Sequence, residues 1–192
     1  MEFDGVEMHD DSDDESSPPS TSVLQPKQLG KEEFLENIKQ FSKKTCRSFD
    51  ADEHWIVEKR HGVTHMKNEA IVEGTKSGQA LERYISVTYS ENYRVPIFWF
   101  AFKERDSGRY LSIQDLEKTV DCAAFNWNAA VKNGMSTSLS EHPATGNCLF
   151  QCHACETPTL MAFAKNSQNY VFSWLSYMCS QFEIPFKHEW GQ

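Results

Sequence analysis

Long apolar runs are missing from this chain of 192 residues. The longest nearly continuous apolar run covers residues 95–102, far short of the ~20 residues that a membrane-spanning helix needs. The acidic N-terminus lacks the apolar segment of a secretory signal, so no signal peptide is predicted. Tandem repeats are also absent. We therefore expect no stable membrane insertion and a cytoplasmic protein, in which the six cysteines stay reduced.

Basic side chains are nearly missing from the first 28 residues, where Lys27 stands alone against eight acidic residues. This charge, with a Ser-Ser-Pro-Pro-Ser-Thr-Ser stretch, predicts a disordered acidic tail over residues 1–28. The tail carries -7 of the formal net charge of -9. Residues 29–192 are thus close to neutral, which makes nucleic acid an unexpected partner, and their number suits one domain.

Apolar periodicity predicts an α+β fold for this domain. Apolar residues at helical spacing predict three helices, at residues 31–46, 112–120 and 169–182. Short apolar or alternating segments predict four strands, at residues 54–58, 69–73, 84–89 and 95–103. A short connection at residues 90–94 makes the last two strands antiparallel neighbours. The expected architecture is an antiparallel β-meander packed against helices.

Residues 147–159 hold the most informative pattern, Asn-Cys-Leu-Phe-Gln-Cys-His-Ala-Cys-Glu-Thr-Pro-Thr. Thr157 suits the N-cap of a helix and Pro158 its first position, which predicts Cys155 just ahead of a helix start. Unpaired N–H groups and the helix dipole at such a place favour thiolate over thiol. Cys155 is therefore the candidate catalytic nucleophile.

Two other chemistries compete for the same segment. Cys152 and Cys155 have the C-x-x-C spacing of a thioredoxin-like redox pair, although that fold places the pair after an early strand. A zinc site is the other alternative, with candidate ligands Cys148, Cys152, Cys155, His142 and His153. The chain has no second C-x-x-C to complete a two-knuckle zinc site. Acyl transfer by Cys155 alone is the third interpretation.

Apart from Cys155, the cysteines of this region have a simpler interpretation. Free cysteine is among the most frequently buried residue types. We expect Cys148, Cys152 and Cys179 to be part of the hydrophobic core. No metal ligand and no cofactor-binding residue is predicted.

The His-Ala-Cys segment at residues 153–155, preceded by Glu-His-Pro at 141–143, resembles the His-Pro-Cys active-site segment of the autophagy ubiquitin-conjugating-like enzymes. Three further blocks agree with these enzymes in order, at residues 89–100, 108–116 and 169–176. The similarity covers roughly residues 84–186 and is to the conjugating enzymes of the autophagy-related protein ten type. Several blocks that agree in order are more specific than one short motif. Ala154 departs from the pattern, because the family usually has Pro there.

The resemblance implies a ubiquitin-conjugating-like catalytic domain over residues 29–192, serving autophagy and protein transport. It implies that the activating enzyme, autophagy-related protein seven (protein seven), passes the ubiquitin-like autophagy-related protein twelve (protein twelve) to Cys155 as a thioester. A lysine of the acceptor, autophagy-related protein five (protein five), would then receive protein twelve through an isopeptide bond. This chemistry needs no cofactor and no metal.

Supporting roles remain open at this level. The second step needs a donor for the developing oxyanion, and four asparagines are candidates without a basis for choosing among them, Asn126, Asn128, Asn133 and Asn147. Turn or surface roles are the commoner ones for asparagine. His153 is a candidate supporting residue, either as a base or, more commonly, by hydrogen bonding its own loop.

Tyr89 and Tyr93 flank the predicted turn at residues 90–94. Tyrosine combines an apolar ring with a polar tip, so both are candidates for binding the acceptor or a partner. Tyr89 also fits the core of a strand.

Two further function classes stay open. A non-catalytic interaction module with the same fold would not need Cys155. A lipidating enzyme of the protein-three type would carry a longer chain and an N-terminal amphipathic membrane helix, whereas residues 1–28 show no apolar stripe.

Overall fold

The computed structural model describes residues 27–48, 50–73, 78–119, 121–122, 125–155, 157–164 and 166–191. Residues 1–26 of the predicted tail lie outside this part. The described helices are α1 (Lys31–Thr45), α2 (Ile113–Thr119), α3 (Trp127–Lys132), α4 (Thr157–Met161) and α5 (Tyr170–Gln181). The strands are β1 (Ile56–Arg60), β2 (Val63–Glu73), β3 (Ala80–Ser90), β4 (Val95–Glu104), β5 (Asp121–Cys122), β6 (Phe125–Asn126), β7 (Thr137–Glu141) and β8 (Cys148–Cys152).

Six strands form one antiparallel sheet in the order β1-β2-β3-β4-β8-β7, while β5 and β6 pair separately. The first four strands follow one another as hairpins, with residues 91–94 joining β3 to β4. His61 and Gly62 turn β1 into β2 with φ of 47° and 81°, the left-handed region that glycine enters without strain. The predicted α+β fold with an antiparallel meander is confirmed.

The region after Gly62 differs from the prediction. One strand, β2, runs continuously from Val63, where the sequence predicted only a short strand at residues 69–73. In its first half, polar side chains lie on both faces of the strand. His65 and Asn68 are buried although they are polar, so the apolar periodicity that marks a strand is lost there. The buried polar residues therefore hid half of β2.

The hydrophobic core lies between one face of the sheet and the helices. α1 and α5 supply its helical side with an apolar stripe from each, Phe34, Ile38 and Phe41 from α1 and Val171, Trp174, Leu175 and Met178 from α5. A buried amide joins the two helices, because Asn37 Oδ1 accepts from the Val171 N–H at 3.2 Å. The predicted helices and the stripe of α5 are confirmed.

Hydrogen bonds hold the first described residues to two parts of the fold. We call residues 27–30 the N-terminal anchor. The Lys27 N–H donates to Pro158 O in α4 at 2.9 Å, and the Tyr170 hydroxyl donates to Lys27 O at 3.0 Å. Leu29 is fully buried, and its N–H donates to Arg94 O at 2.8 Å. The anchor therefore connects the β3–β4 turn to the helices behind residues 153–155.

None of the described helices reaches the length and apolar content of a membrane-spanning segment, since the longest, α1, has 15 residues.

Candidate active site

Cys155 lies at the surface in the short turn between β8 and α4. β8 ends at Cys152, and α4 begins at Thr157, so the thiol lies just ahead of a helix start as predicted. The Thr157 N–H donates to Ala154 O at 3.2 Å and closes this turn. Ala154 itself is 7% exposed, so the turn is packed against the protein while its cysteine stays open to solvent.

The start of α4 differs by one position from the prediction. Thr157 is the first residue inside the helix rather than its N-cap, and Pro158 is the second. Proline is tolerated there because the first N–H groups of a helix have no partner within the helix. α4 has only five residues, and the predicted preference of Cys155 for its thiolate stays a prediction.

The side chain of His153 lies within hydrogen-bonding distance of the Cys155 thiol. Its Nδ1 lies 3.3 Å from Cys155 Sγ, and both side chains are exposed. The His153 backbone is fixed by its N–H, which donates to Ser136 O at 2.9 Å. The structure thus brings together the two residues that the sequence placed in a catalytic and a supporting role, and their roles remain predictions.

A cavity of about 720 Å³ opens beside this pair. Its walls come from the segment before β7 and from the helices α4 and α5, and among its lining residues are Met135, Ser136, His153, Cys155, Leu160 and Tyr177. Met135, Ser136 and Tyr177 were not predicted from the sequence as site residues. A tyrosine within the largely apolar α5 was the available signal for one of them, and in the structure it is 37% exposed.

The other described cysteines differ sharply in exposure. Cys152 and Cys179 are buried in the core, and burial raises the pKa of both thiols, that of Cys179 to about 12. Such thiols are poor nucleophiles at neutral pH. Cys148, in contrast, is exposed at the start of β8, so its predicted place in the core is wrong. Its register position opposite Glu141, near the rim of the sheet, leaves it uncovered.

A redox pair and a zinc site find little support in this geometry. Cys152 is a buried core side chain of β8, while Cys155 projects from the following turn. Among the described residues, no group of three or more His, Cys, Asp or Glu side chains is arranged to hold a metal ion.

His142, a candidate zinc ligand from the sequence, is instead a buried structural residue. Its Nδ1 accepts from the N–H groups of Ala144 and Thr145, at 3.3 and 3.2 Å. Nε2 therefore carries the proton and donates to Ser86 Oγ at 3.1 Å. Burial, with a smaller contribution from His65, lowers the pKa of His142 to about 4. The neutral ring holds the turn that joins β7 to β8.

None of the four candidate asparagines lines the cavity beside Cys155. Asn126 caps α3 by accepting from the Ala129 N–H at 2.9 Å, and Asn133 forms the other cap of that helix. Asn128 is exposed on the same helix. Asn147 lies in a separate cavity beyond the opposite end of β8, 3.5 Å from the Tyr110 hydroxyl.

Tyr89 and Tyr93 lie apart from the cavity. Tyr89 is partly buried, donates its hydroxyl to Leu29 O at 2.7 Å and packs against Phe34 with ring centroids 5.5 Å apart. Its visible role is to hold the N-terminal anchor. Tyr93 is 46% exposed in the β3–β4 turn, and partner binding by either tyrosine stays a prediction.

The family model described as "Autophagocytosis associated protein, active-site domain" matches residues 4–188. The chain belongs to this family. The human protein "Ubiquitin-like-conjugating enzyme ATG10" is 30% identical over 114 residues, which cover 55% of this chain and 50% of that enzyme. The alignment thus spans half the length of this curated relative. The family suggested by the sequence motifs is confirmed.

Solved structures also include a similar chain. The protein in "Solution structures of KmAtg10" matches with a TM-score of 0.47 and 16% sequence identity, over 82% of this chain and 97% of that chain.

Proposed function

We propose that this chain is a conjugating enzyme that carries a ubiquitin-like protein as a thioester on Cys155 and transfers it to a lysine. The observation that supports this most directly is the exposed Cys155 thiol, 3.3 Å from His153 Nδ1 at the edge of a cavity. Family membership and the human relative, whose name describes such an enzyme, point the same way.

The first step is thioester exchange. The Cys155 thiolate attacks the carbonyl carbon of the C-terminal glycine of the ubiquitin-like protein, which arrives as a thioester of the activating enzyme. A new carbon–sulfur bond forms, and the thiolate of the activating enzyme leaves. In this step His153 Nδ1, 3.3 Å from the sulfur, would accept the thiol proton of Cys155. Since one thioester replaces another, the step is close to energetic balance.

The second step forms the isopeptide bond. A neutral lysine amine attacks the thioester carbonyl, a carbon–nitrogen bond forms, and the Cys155 thiolate leaves while the amine loses a proton to a base. The tetrahedral intermediate carries an oxyanion that needs a hydrogen-bond donor. With the four asparagines outside the cavity, side-chain candidates in its lining are the hydroxyl groups of Ser136, Thr157, Thr159 and Tyr177.

The partners follow from the resemblance. The donor is the ubiquitin-like protein twelve, delivered by protein seven, and the acceptor is a lysine of protein five. A lipidating enzyme of the protein-three type would instead transfer its cargo to the amine of phosphatidylethanolamine.

A charging assay tests this proposal. The chain is incubated with protein seven, protein twelve and ATP, and the adduct is followed on a non-reducing gel. Cys155→Ser should abolish the thioester or replace it by an oxyester. Cys148→Ser is the matched control, because Cys148 is also exposed, and it should charge normally. A reducible adduct that persists in Cys155→Ser, or disappears in Cys148→Ser, would refute the assignment.

The transfer arm separates the two acceptor classes. Charged enzyme is mixed either with protein five or with vesicles that contain phosphatidylethanolamine. Discharge to protein five alone supports the proposed acceptor, and discharge to the vesicles alone assigns the chain to lipidation.

A further inference from the structure

β7 is an edge strand that begins next to the candidate active site. Within the described residues it pairs with β8 only, at one end of the six-stranded sheet. The residue before it, Ser136, lines the cavity of Cys155 and accepts the His153 N–H. The free edge of the sheet and the reactive thiol are therefore parts of one continuous surface.

The hydrogen bonds at the two ends of the β7–β8 pair determine which groups face outward. The backbone N–H of His153 donates to Ser136 O, and the backbone N–H of His142 donates to Asn147 O. Both bonds continue the register of the pair. Hydrogen-bonded positions alternate in antiparallel strands, so Ser138 and Ser140 direct their N–H and C=O groups toward β8. The N–H and C=O groups of the intervening residues point away from the sheet, at Thr137, Leu139 and Glu141.

This edge lacks lysine and proline, two of the devices that protect edge strands. Lysine, proline and bulges commonly blunt such edges against pairing with another chain. β7 has the sequence Thr-Ser-Leu-Ser-Glu, without lysine or proline, and Leu139 is 60% exposed in its middle. An exposed apolar side chain between outward hydrogen-bonding groups suits an added strand.

We propose that β7 docks the extended C-terminal tail of the ubiquitin-like protein carried on Cys155, as an additional antiparallel strand. The inference rests on the proposed function. β7 runs from Thr137, beside the cavity, to Glu141, away from it. Only an antiparallel tail therefore has its C-terminal end at Cys155. The added strand would lie two strand spacings from β8, about 10 Å, which about three extended residues can cross to reach the thiol.

The tethered donor is favoured over a free partner by the size of the edge. β7 has five residues, and a strand pair that short is weak on its own. A tail joined covalently to Cys155 pairs within one molecule, where the effective concentration of a short flexible tether is in the millimolar range. Protein five or a second copy of the chain on this edge would lack that advantage, and both are outcomes of the tests below.

Amide exchange provides the direct test. Protein twelve is joined to the chain through a stable isopeptide bond in Cys155→Lys, and amide hydrogen exchange is measured by NMR with and without the donor. The outward N–H groups of Thr137, Leu139 and Glu141 should exchange at least about tenfold more slowly in the conjugate. Ser138 and Ser140, already bonded to β8, should change little. Unchanged exchange at the three outward amides overturns the inference.

A proline variant supplies a second, kinetic test. Leu139→Pro removes an outward N–H without removing a bond to β8, a substitution that edge strands tolerate. Lys59→Pro is the matched control on the opposite edge, since the His61–Gly62 turn makes Arg60 and Val63 a bonded pair and directs the Lys59 N–H outward. Circular dichroism and thermal unfolding establish that both variants fold.

The readout is discharge of the preformed thioester to free lysine, which needs no acceptor protein. Leu139→Pro should slow discharge by about tenfold, while Lys59→Pro stays within about twofold. If Leu139→Pro slows discharge to protein five but not to free lysine, β7 is an acceptor site. If the outward amides are protected in the uncharged chain at high concentration, the edge mediates self-association. Either result overturns donor docking. Failure of the wild type to charge at all would instead refute the proposed function.

Discussion

Acidification should destabilise this protein through His142, a residue outside the chemistry. The ring is fully buried, its Nδ1 accepts two backbone N–H groups, and its Nε2 donates to Ser86. Trp99 contacts it edge to face with centroids 5.0 Å apart, and His65 lies at 5.5 Å. Protonation would place a charge in this buried surrounding and convert the accepting Nδ1 into a donor that opposes the N–H groups of the turn.

The size of the effect follows from the pKa. Burial lowers the pKa of His142 to about 4 in the folded state, against about 6.5 for an exposed histidine in the unfolded chain. Between these values the unfolded state binds more protons, so stability falls as the pH falls. At pH 5 the loss relative to neutral pH amounts to about 2 kcal/mol. That is a large share of the roughly 5–15 kcal/mol that holds a typical domain folded.

His142→Asn isolates the contribution of this ring. Asn can keep an acceptor near the position of Nδ1 but cannot titrate, and it loses the bond to Ser86 and the ring contacts. The variant should be less stable at pH 7, with a smaller loss between pH 7 and pH 5. Burial also lowers the pKa of His65, which stays in the variant, so the difference between the two proteins reports His142.

Urea unfolding at pH 7, 6 and 5, followed by tryptophan fluorescence, measures these free energies. His188→Asn, at an exposed histidine near the end of the described chain, serves as control and should follow the wild type at each pH. Equal pH dependence of the wild type and His142→Asn would show that the buried ring does not determine the acid sensitivity, and the reasoning would fail.

The remaining predictions concern the surroundings of Cys155. Ala154→Pro should preserve charging and raise the free energy of unfolding by up to about 1 kcal/mol in urea titrations, because it restricts the unfolded loop; loss of charging would show an incompatible path of the turn. Deleting residues 1–26 should leave the charging rate within about twofold, since the acidic segment has no reactive site. A loss of charging rate that disappears at high salt would instead make this segment a docking element. Deleting residues 1–28 also removes the bonds of Lys27 to Pro158 and Tyr170, each worth about 1 kcal/mol, so this shorter chain should unfold at lower temperature than the first. Asn126→Ala should cost about 1 kcal/mol of stability through loss of the α3 cap without reducing single-turnover transfer, and a selective loss of transfer would restore this asparagine as an oxyanion donor.

Much of the fold could be predicted because most of its long elements, β2 excepted, have clean periodicity. α1 and α5 present apolar stripes, and β3 and β4 are apolar enough to be recognised as strands. The short turn between these strands then made them antiparallel neighbours. Local patterns of this kind need no knowledge of the rest of the chain.

β7 and α3 escaped prediction for a physical reason. The Thr-Ser-Leu-Ser-Glu sequence of β7 has one apolar residue, and that residue is exposed. Its strand conformation depends on β8, whose pairing partner cannot be read from local periodicity. α3 has six residues and owes its start to the cap at Asn126.

The candidate site was predictable in part. Cys155 and His153 are neighbours in sequence, so their proximity in space follows from a short turn. The cavity wall at Met135 and Ser136 comes from a segment about twenty residues earlier, which only the β7–β8 pairing brings alongside. Exposure separated Cys148 from Cys152 although both lie on the same five-residue strand, and such a difference depends on what covers each end of the sheet.

The N-terminal anchor also bears on how the protein is made. Lys27 leaves the ribosome early, yet the carbonyl that its N–H binds belongs to Pro158, and the hydroxyl that donates to it belongs to Tyr170. During synthesis from the N-terminus, this contact must wait until nearly the whole chain has emerged. We expect α4 to settle against the protein only then. A nascent chain interrupted before α5 would contain Cys155 and Pro158 but not Tyr170, whose hydroxyl helps to hold the anchor behind the helix.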